Sequence, residues 1–560
     1  MMFLSTGRNR ALAAVALASS MTLVVAGCSS SGAGAGGGEG EDRVLNVFAG
    51  SQTPITANFN PYSPTALHAS SGAIYETLYY YNKGAAGDPT PLLGESFAFD
   101  DTGSELTVTL KSGVTWSDGE PFTADDVVFT FEQPFASQEW ITSVEAVDET
   151  TVKFVFDGPQ YTNEFTVLGS TYIVPEHIWS TIEDTTAYAD AEPVGTGPYI
   201  VDNVSTSAYT IVANPEYREE GKPAVKKVRY LGIDSNQSAE DLIRTGKIDW
   251  VSMFSPEPES ITADGRMGYL PLYSTATVIY TCANAEMGCE GPQTDVAVRQ
   301  AIDAALDRSS INEKAFAGVG GAASPTFALP GRDDQWVAPG MPSQSPQQSD
   351  VEAAQAILEE AGYAPDADGV YAKDGQRVEM TLVSVDGWND YNSAAKLIAE
   401  QVSAAGIQVT ATTVSQSEFA DARQSGEFQL IIGGVSGTSV ADPFQIYHDW
   451  FTTGTTAPVG EEVPLGAWNF SRYSDPEVDA AVEAASVTDD SATKLEAYGV
   501  IQEKIVEDLP YIPLILSASQ TFYDTEHFTG WPTEDDLYAF PAPFTPTAAG
   551  LILSTLEPVD

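Results

Sequence analysis

Residues 392–414 read NSAAKLIAEQVSAAGIQVTATTV. Ile398 and Val402 stand one helical turn apart, Gly406 is the stop, and a strand is expected from Ile407. The same scheme appears in SDVEAAQAILEEAGY (349–363). There Ser349 and Glu352 have capping-box spacing, Val351, Ala354, Ile357, Leu358 and Ala361 share one face, and Gly362 ends the helix. A third unit, SAEDLIRTGKIDWVSM (238–253), is expected to be capped by Ser238 and ended by Gly246. Helix, glycine, strand in repetition predicts βαβ packing and an α/β fold, in which ligands lie at strand ends or between lobes. No internal repeat or coiled coil competes with this reading.

The stretch TLVVAGCSSSGAGAGGGEGEDR (22–43) sets one of three cysteines between an apolar run and a Gly/Ser tract. Arg8 and Arg10 form a short basic start, and residues 11–26 are almost all Ala, Val, Leu or Ser, which is the pattern of an export signal. The run is shorter than the ~20 residues a membrane-spanning helix needs. Val25-Ala26-Gly27-Cys28 resembles the bacterial lipoprotein box, so Cys28 is expected to be lipidated and to become the new N-terminus, with residues 1–27 removed. Residues 29–43 then form a flexible tether with a mean reach of roughly 20 Å. The implied location is the outer face of the cytoplasmic membrane, with the lipid as the only membrane contact.

Removing the leader leaves a chain well beyond the roughly 250–300 residues at which a single core stops growing, so two or more lobes are expected. Hydrophobic residues are 43% and aromatics 10%, the composition of a folded protein. The formal net charge is −54. Such a field repels nucleic acid and anionic headgroups, so neither is an expected partner. Cys282 and Cys289, in TCANAEMGCEG (281–291), close a short loop and are expected to pair in an oxidising exterior.

Five further stretches are LKSGVTWSDGEPFTADDVVFTFE (110–132), EPVGTGPYIV (192–201), DVAVRQAIDAALDRSSI (295–311), NFSRYSDPEVDAAV (469–482) and EDLPYIPLI (507–515). Together, and in this order, they resemble the family 5 extracellular solute-binding proteins, the binding subunits of ABC importers for peptides, nickel and oligosaccharides. The resemblance implies a two-lobed clamshell with an extra N-terminal subdomain. Lobe I would combine residues 44–276, including a subdomain at about 76–189, with the returning segment 517–560, and lobe II would hold residues 277–516. The physical readings agree. Thr123 can cap a helix with Asp125 and Asp126 in its first turn, and Val127, Val128 and Phe131 give that helix an apolar face. Gly195 and Gly197 suit tight backbone packing but lack the spacing of a dinucleotide loop. DADGVY (366–371) starts like a calcium loop, yet the distal glutamate is missing, and a hairpin turn is expected.

LIIGGVSGTSVADPFQIYHDWF (430–451) bears on the ligand. Peptide-binding members place an acid shortly after the glycine here, to pair with the ligand's α-ammonium, whereas this chain has Thr438 or Ser439 at that place. Asp442 is read as a helix cap. A neutral hydroxyl suits a neutral ligand better. Trp388, Tyr391, Tyr447, Trp450, Trp468 and Trp531 sit in loops or at element ends, where aromatic faces can pack against pyranose rings while Asp, Asn and backbone groups bind hydroxyls. With Asn60 and Thr438 they form the expected ligand-binding set. GWNDY (387–391) and GWPTEDDLYAFPAP (530–543) resemble the oligosaccharide-binding branch, whose ligands include β-linked glucans and mannans.

The expected function is therefore capture of an oligosaccharide, such as a cello-oligosaccharide, and delivery to an ABC permease by a monomeric receptor. The alternative is an oligopeptide receptor of the same fold. No enzyme is expected: GVSGT (434–438) is no nucleophile elbow, and with 79 acidic residues a carboxylate pair decides nothing. His68, His177, His448 and His527 show no metal-ligand spacing, so no metal or cofactor is expected.

Overall fold

The ten strands of one mixed sheet organise the chain: β1 (Val44–Phe48), β2 (Tyr199–Val204), β3 (Ala208–Ala213), β4 (Lys227–Leu231), β5 (Trp250–Ser252), β6 (Met267–Thr281), β7 (Glu379–Val385), β8 (Gln408–Val414), β9 (Leu430–Ser436) and β10 (Tyr511–Asp524). The computed structural model describes residues 43–50, 54–185, 187–464 and 467–559. The expected leader, Cys28 and the tether through residue 42 lie outside them.

Spatial order across the sheet is β8-β7-β9-β6-β10-β5-β1-β4-β3-β2. At one end β8, β7 and β9 run parallel. Towards the other, β1 runs parallel to β4 and β5. The long antiparallel pair β6–β10 joins the two halves, and its ladder shifts register between Tyr273 and Thr275 and again between Thr277 and Val278. Such irregularities bend a strand and raise its twist.

The helix–glycine–strand units form as read, with two caps displaced. The helix Val351–Glu360 is capped by Asp350, whose side chain accepts from the Ala353 N–H, and not by Ser349. The helix Asn236–Arg244 is capped by Ser235, not Ser238. In both cases the capping oxygen belongs where the first free N–H groups point. Gly362 and Gly406 have φ of 88° and 78°, the left-handed conformation that ends a helix at low cost in glycine. Thr123 and Asp126 make a reciprocal capping box on the helix Ala124–Glu132. That helix packs with the four-stranded sheet Gly94–Phe99, Glu105–Leu110, Thr151–Phe156 and Ile141–Asp148 around a core of its own, which includes Leu106, Trp116, Phe131 and Phe154.

The DADGVY turn is a hairpin, and Arg377 pairs with an acid of the turn and one beyond it, with Nε 2.8 Å from Asp366 and Nη1 2.6 Å from Glu379. Cys282 and Cys289 are joined as a disulfide. Among the described residues no group of three or more His, Cys, Asp or Glu could hold a metal ion, and no helix is long and apolar enough to cross a membrane.

Burial raises the pKa of Asp126, Glu164, Asp190 and Asp249. A carboxyl raised in the folded state binds its proton more tightly there, so its contribution to stability is present at low pH and is lost as pH rises through the folded pKa. His68 acts oppositely: burial lowers its pKa, so its contribution is lost as pH falls below the usual imidazole range. Asp524 opposes the trend little above pH 5. There burial is outweighed by hydrogen bonds from His527 and Arg266, and the carboxyl stays below the usual carboxylate range. Self-repulsion of the large negative charge grows with pH and adds to the carboxyl effect. The His68 contribution falls inside the range from pH 8 to 5, so His68→Gln should raise the melting temperature at pH 5 relative to that at pH 8 when compared with the parent. Scanning fluorimetry of the two proteins across that range checks it, and parallel melting profiles would refute it.

Candidate binding cleft

Register alone brings two sets of strand ends together. In one half, β5 runs antiparallel to β10, and its last residue, Ser252, pairs with Thr521. In the other, β9 runs antiparallel to β6 and ends with Ser436 opposite Thr275. Because β6 and β10 carry the chain from one half to the other, the C-terminal ends of β5 and β9 point towards each other across the middle of the sheet. Strand C-termini are where open α/β sheets place ligands.

The segments that leave β7, β8 and β9 bear a strip of aromatic side chains. Trp388 follows β7, and its indole meets Tyr391 and Phe419 edge-on, each at 5.4 Å between ring centroids. Phe419 and Arg423 lie on the helix Gln416–Ser425 that follows β8. The Arg423 guanidinium lies 5.7 Å from the Phe419 centroid and 4.5 Å from that of Phe470. Phe470 in turn meets Trp468 edge-on, and Trp468 stacks on Trp450 at 6.0 Å with 18° between the planes. Trp388 is 36% exposed and Trp468 42%, large values for indoles and the reason the strip offers faces to a ligand.

A cavity of about 240 Å³ opens at the Trp468 end of the strip, bordered by Arg423, Ser436, Gln445, Asp449, Trp450 and Trp468. The polar groups are oriented by one another. Gln445 donates to Asp449 Oδ2 at 2.8 Å, and His448 Nδ1 lies 2.6 Å from Asp449 Oδ1.

On the other side of Gln445 lies a second cavity of about 600 Å³, bordered by Tyr81, Glu164 and Phe165 on one wall and Asp442, Gln445 and Lys494 on the other. Burial raises the Glu164 pKa against the hydrogen bond from Tyr81 and the nearby Lys494 charge. Asp442 Oδ1 accepts from the Phe444 N–H at 2.8 Å, in keeping with the helix-capping role, and from the Tyr498 hydroxyl at 2.5 Å. Its Oδ2 accepts from Lys494 at 3.0 Å. A carboxylate so neutralised has no charge to spare for a ligand ammonium. Arg332, ion-paired to Asp333, ties the walls together by donating to Lys83 O and Thr438 O at 2.9 and 2.8 Å.

Several expected ligand residues are buried or have their polar atoms engaged within the fold. Asn60 is fully buried and donates to the carbonyls of Thr185 and Tyr188, which ties two loops together. Tyr447 is fully buried, with its hydroxyl donating to Thr326 O and accepting from Gln502. Trp531 packs on Trp250 and Tyr523, and its indole N–H donates to Asp524 O. Thr438 borders the small cavity, but its hydroxyl is engaged by Val440 O and by Arg332. Trp450 is 5% exposed and supports Trp468 from beneath. Trp388, Tyr391 and Trp468 remain on the strip. Sequence reasoning missed Phe419, Arg423 and Gln445. It also missed Phe254, which is 44% exposed two residues past the end of β5. An apolar residue left over when a buried strand runs out before a proline, as in WVSMFSP (250–256), was the available signal.

The family model for bacterial extracellular solute-binding proteins, family 5, matches residues 88–457. This chain belongs to that family. Protein XP55 of Streptomyces lividans is 31% identical over 428 residues, covering 73% of each chain. The oligopeptide-binding protein AppA of Bacillus subtilis is 27% identical, over 75% of this chain and 76% of its own. Among solved structures, the periplasmic oligopeptide-binding protein of a Thermotoga maritima ABC transporter superposes with a TM-score of 0.80 at 27% identity, over 93% of this chain and all of its own. The mannohexaose-bound form of that protein gives 0.73 at the same identity, over 92% and 99%. The family 5 chain is thus a two-lobed α/β solute-binding protein of an ABC importer, not an enzyme.

Proposed function

We propose that this solute-binding protein is a lipid-anchored receptor, exported and held by Cys28, which captures an oligosaccharide between its lobes and hands it to the permease as a monomer. Residues 44–276 and 517–560 form lobe I, with the subdomain at about 76–189, and residues 277–516 form lobe II. In support, the lobe boundaries coincide in β6 and β10, where Ala276 pairs with Leu516 and Thr275 with Ser517. The buried clusters also divide there: one runs from Leu45 to Leu556 and includes no residue from 277 to 516, while another runs from Ala276 to Leu516. Hinge closure at these two crossings would bring lobe I, with Phe254, against the aromatic strip of lobe II. Binding shifts the equilibrium by the difference in affinity between open and closed states.

The observation that carries the saccharide reading is the exposed, stacked Trp468 beside a small cavity edged with an amide, a carboxylate, a hydroxyl and a guanidinium. An aromatic floor with polar edges matches a sugar, whose ring has apolar faces and a rim of hydroxyls. The neutralised Asp442 and the neutral Thr438 leave no free charge at the place where peptide-binding members pair with the ligand ammonium. Calorimetric titration of residues 29–560 with cello- and manno-oligosaccharides and with mixed di- to pentapeptides tests the proposal. Dissociation constants in the micromolar range or below are expected for at least one sugar series. Peptide binding without sugar binding would replace this reading by the oligopeptide alternative, which the names of several relatives favour.

A further inference from the structure

We infer that the saccharide taken by this receptor carries a carboxylate, as a hexuronate residue does, and that Arg423 receives it. The inference rests on the saccharide reading above. Three cations stand around the 437–445 loop: Lys494 and Arg423 border its two cavities, and Arg332 donates to Thr438. Lys494 is paired with Asp442 and Arg332 with Asp333. Arg423 alone of the three has no carboxylate within ion-pair distance among the described residues. In a chain with 79 acidic and 25 basic residues, a guanidinium on a cavity wall without an acid beside it is an exception that asks for a reason.

Its surroundings supply one. The Arg423 Nε is buried and has no hydrogen-bond partner. The Phe419 and Phe470 rings hold the group in place, and the Tyr280 hydroxyl, its own proton directed to Gly434 O at 2.6 Å, offers its oxygen to one of the guanidinium's donors. Asp449 shares the cavity, but Gln445 and His448 already occupy its oxygens. What is left is the planar terminal fork of the guanidinium, fixed by aromatic packing on the wall of the cavity that Trp468 also borders. That fork matches a carboxylate in two parallel hydrogen bonds. The overall negative charge opposes an anionic ligand at long range, but at physiological ionic strength this repulsion is screened beyond about 8 Å, while a partly buried contact pair is screened much less. One carboxylate on an otherwise neutral sugar satisfies both conditions better than a multiply charged ligand would.

The test compares cellobiouronic acid with cellobiose, and the matching trisaccharides, by calorimetry on the full mature chain. The acidic member of each pair should bind on the order of tenfold more tightly. Arg423→Gln should reduce that preference to within about twofold, and Arg423→Lys should restore part of it, with an unchanged melting temperature confirming the fold. Equal binding of acidic and neutral sugars, or a preference that survives Arg423→Gln, would overturn the assignment of Arg423 and leave the saccharide reading standing. Binding of peptides but of neither sugar would overturn both.

Discussion

Replacing Gly195 with alanine is expected to destabilise the protein by about 3 kcal/mol or more, at the upper end of what overpacking costs. A β-carbon at this position would lie 2.0 Å from the Ile74 carbonyl oxygen, and one at Gly197 would lie 2.5 Å from that of Ala73. On the opposite side, a β-carbon on Gly550 would fall 2.0 Å from the Gly72 carbonyl oxygen. Residues 72–74 are therefore clamped between two glycine backbones, with Ile74 and Tyr75 fully buried beyond them. Backbone atoms cannot rotate out of the way as a side chain can, so the added methyl must move the segment that precedes the four-stranded sheet Gly94–Phe99, Glu105–Leu110, Thr151–Phe156 and Ile141–Asp148. Gly158 offers the matched control, since its β-carbon would meet nothing within 4 Å and its φ is ordinary. Urea unfolding followed by tryptophan fluorescence should show an early transition for Gly195→Ala and Gly550→Ala, with Gly158→Ala within about 0.5 kcal/mol of the parent. An unchanged midpoint for Gly195→Ala would mean that the segment is not seated as described.

Much of this is legible in the sequence. The GTGPY glycines read as tight backbone because their spacing fits no phosphate loop, and the helix–glycine–strand units announce an α/β sheet because glycine is the residue that ends a helix in the left-handed conformation. Caps are readable only to within a few residues, since Ser349 and Asp350 are both competent and local chain direction decides between them. The aromatic strip is half legible. Trp468 and Trp388 stand out because an indole in a polar loop is unusual. Tyr447 and Trp450 mislead because their helix, Phe444–Phe451, is apolar on most sides and is buried by its neighbours, a fact of tertiary packing. Arg423, in EFADARQSGEF (418–428), reads as one more charge on a solvated helix. Only the parallel order of β8, β7 and β9 turns that helix towards the strand ends where a ligand would lie.

Trp468→Ala is expected to weaken saccharide binding about thirtyfold while leaving the melting temperature nearly unchanged. The indole presents 42% of its surface to solvent, so its removal sacrifices little packing. Its backbone is held independently: the Trp468 N–H donates to Asp449 O at 3.0 Å, and the Trp468 carbonyl accepts from the Tyr511 hydroxyl at 3.2 Å. What is lost is the face on which a pyranose ring would lie, worth roughly 2 kcal/mol for an aromatic anchor at the centre of a contact. Trp468→Phe keeps a flat apolar face and should recover most of the affinity. Trp450→Ala should behave in the opposite way. That indole is almost fully buried against Tyr280, Phe470 and Tyr511, so its loss should cost about 3–5 kcal/mol of stability before it affects any ligand. Calorimetry and thermal melting on the two variants separate the platform from its support. If Trp468→Ala bound its sugar as the parent does, the platform would have to be sought on Trp388 or on Phe254 beyond the end of β5, and the small cavity would lose its claim to the ligand.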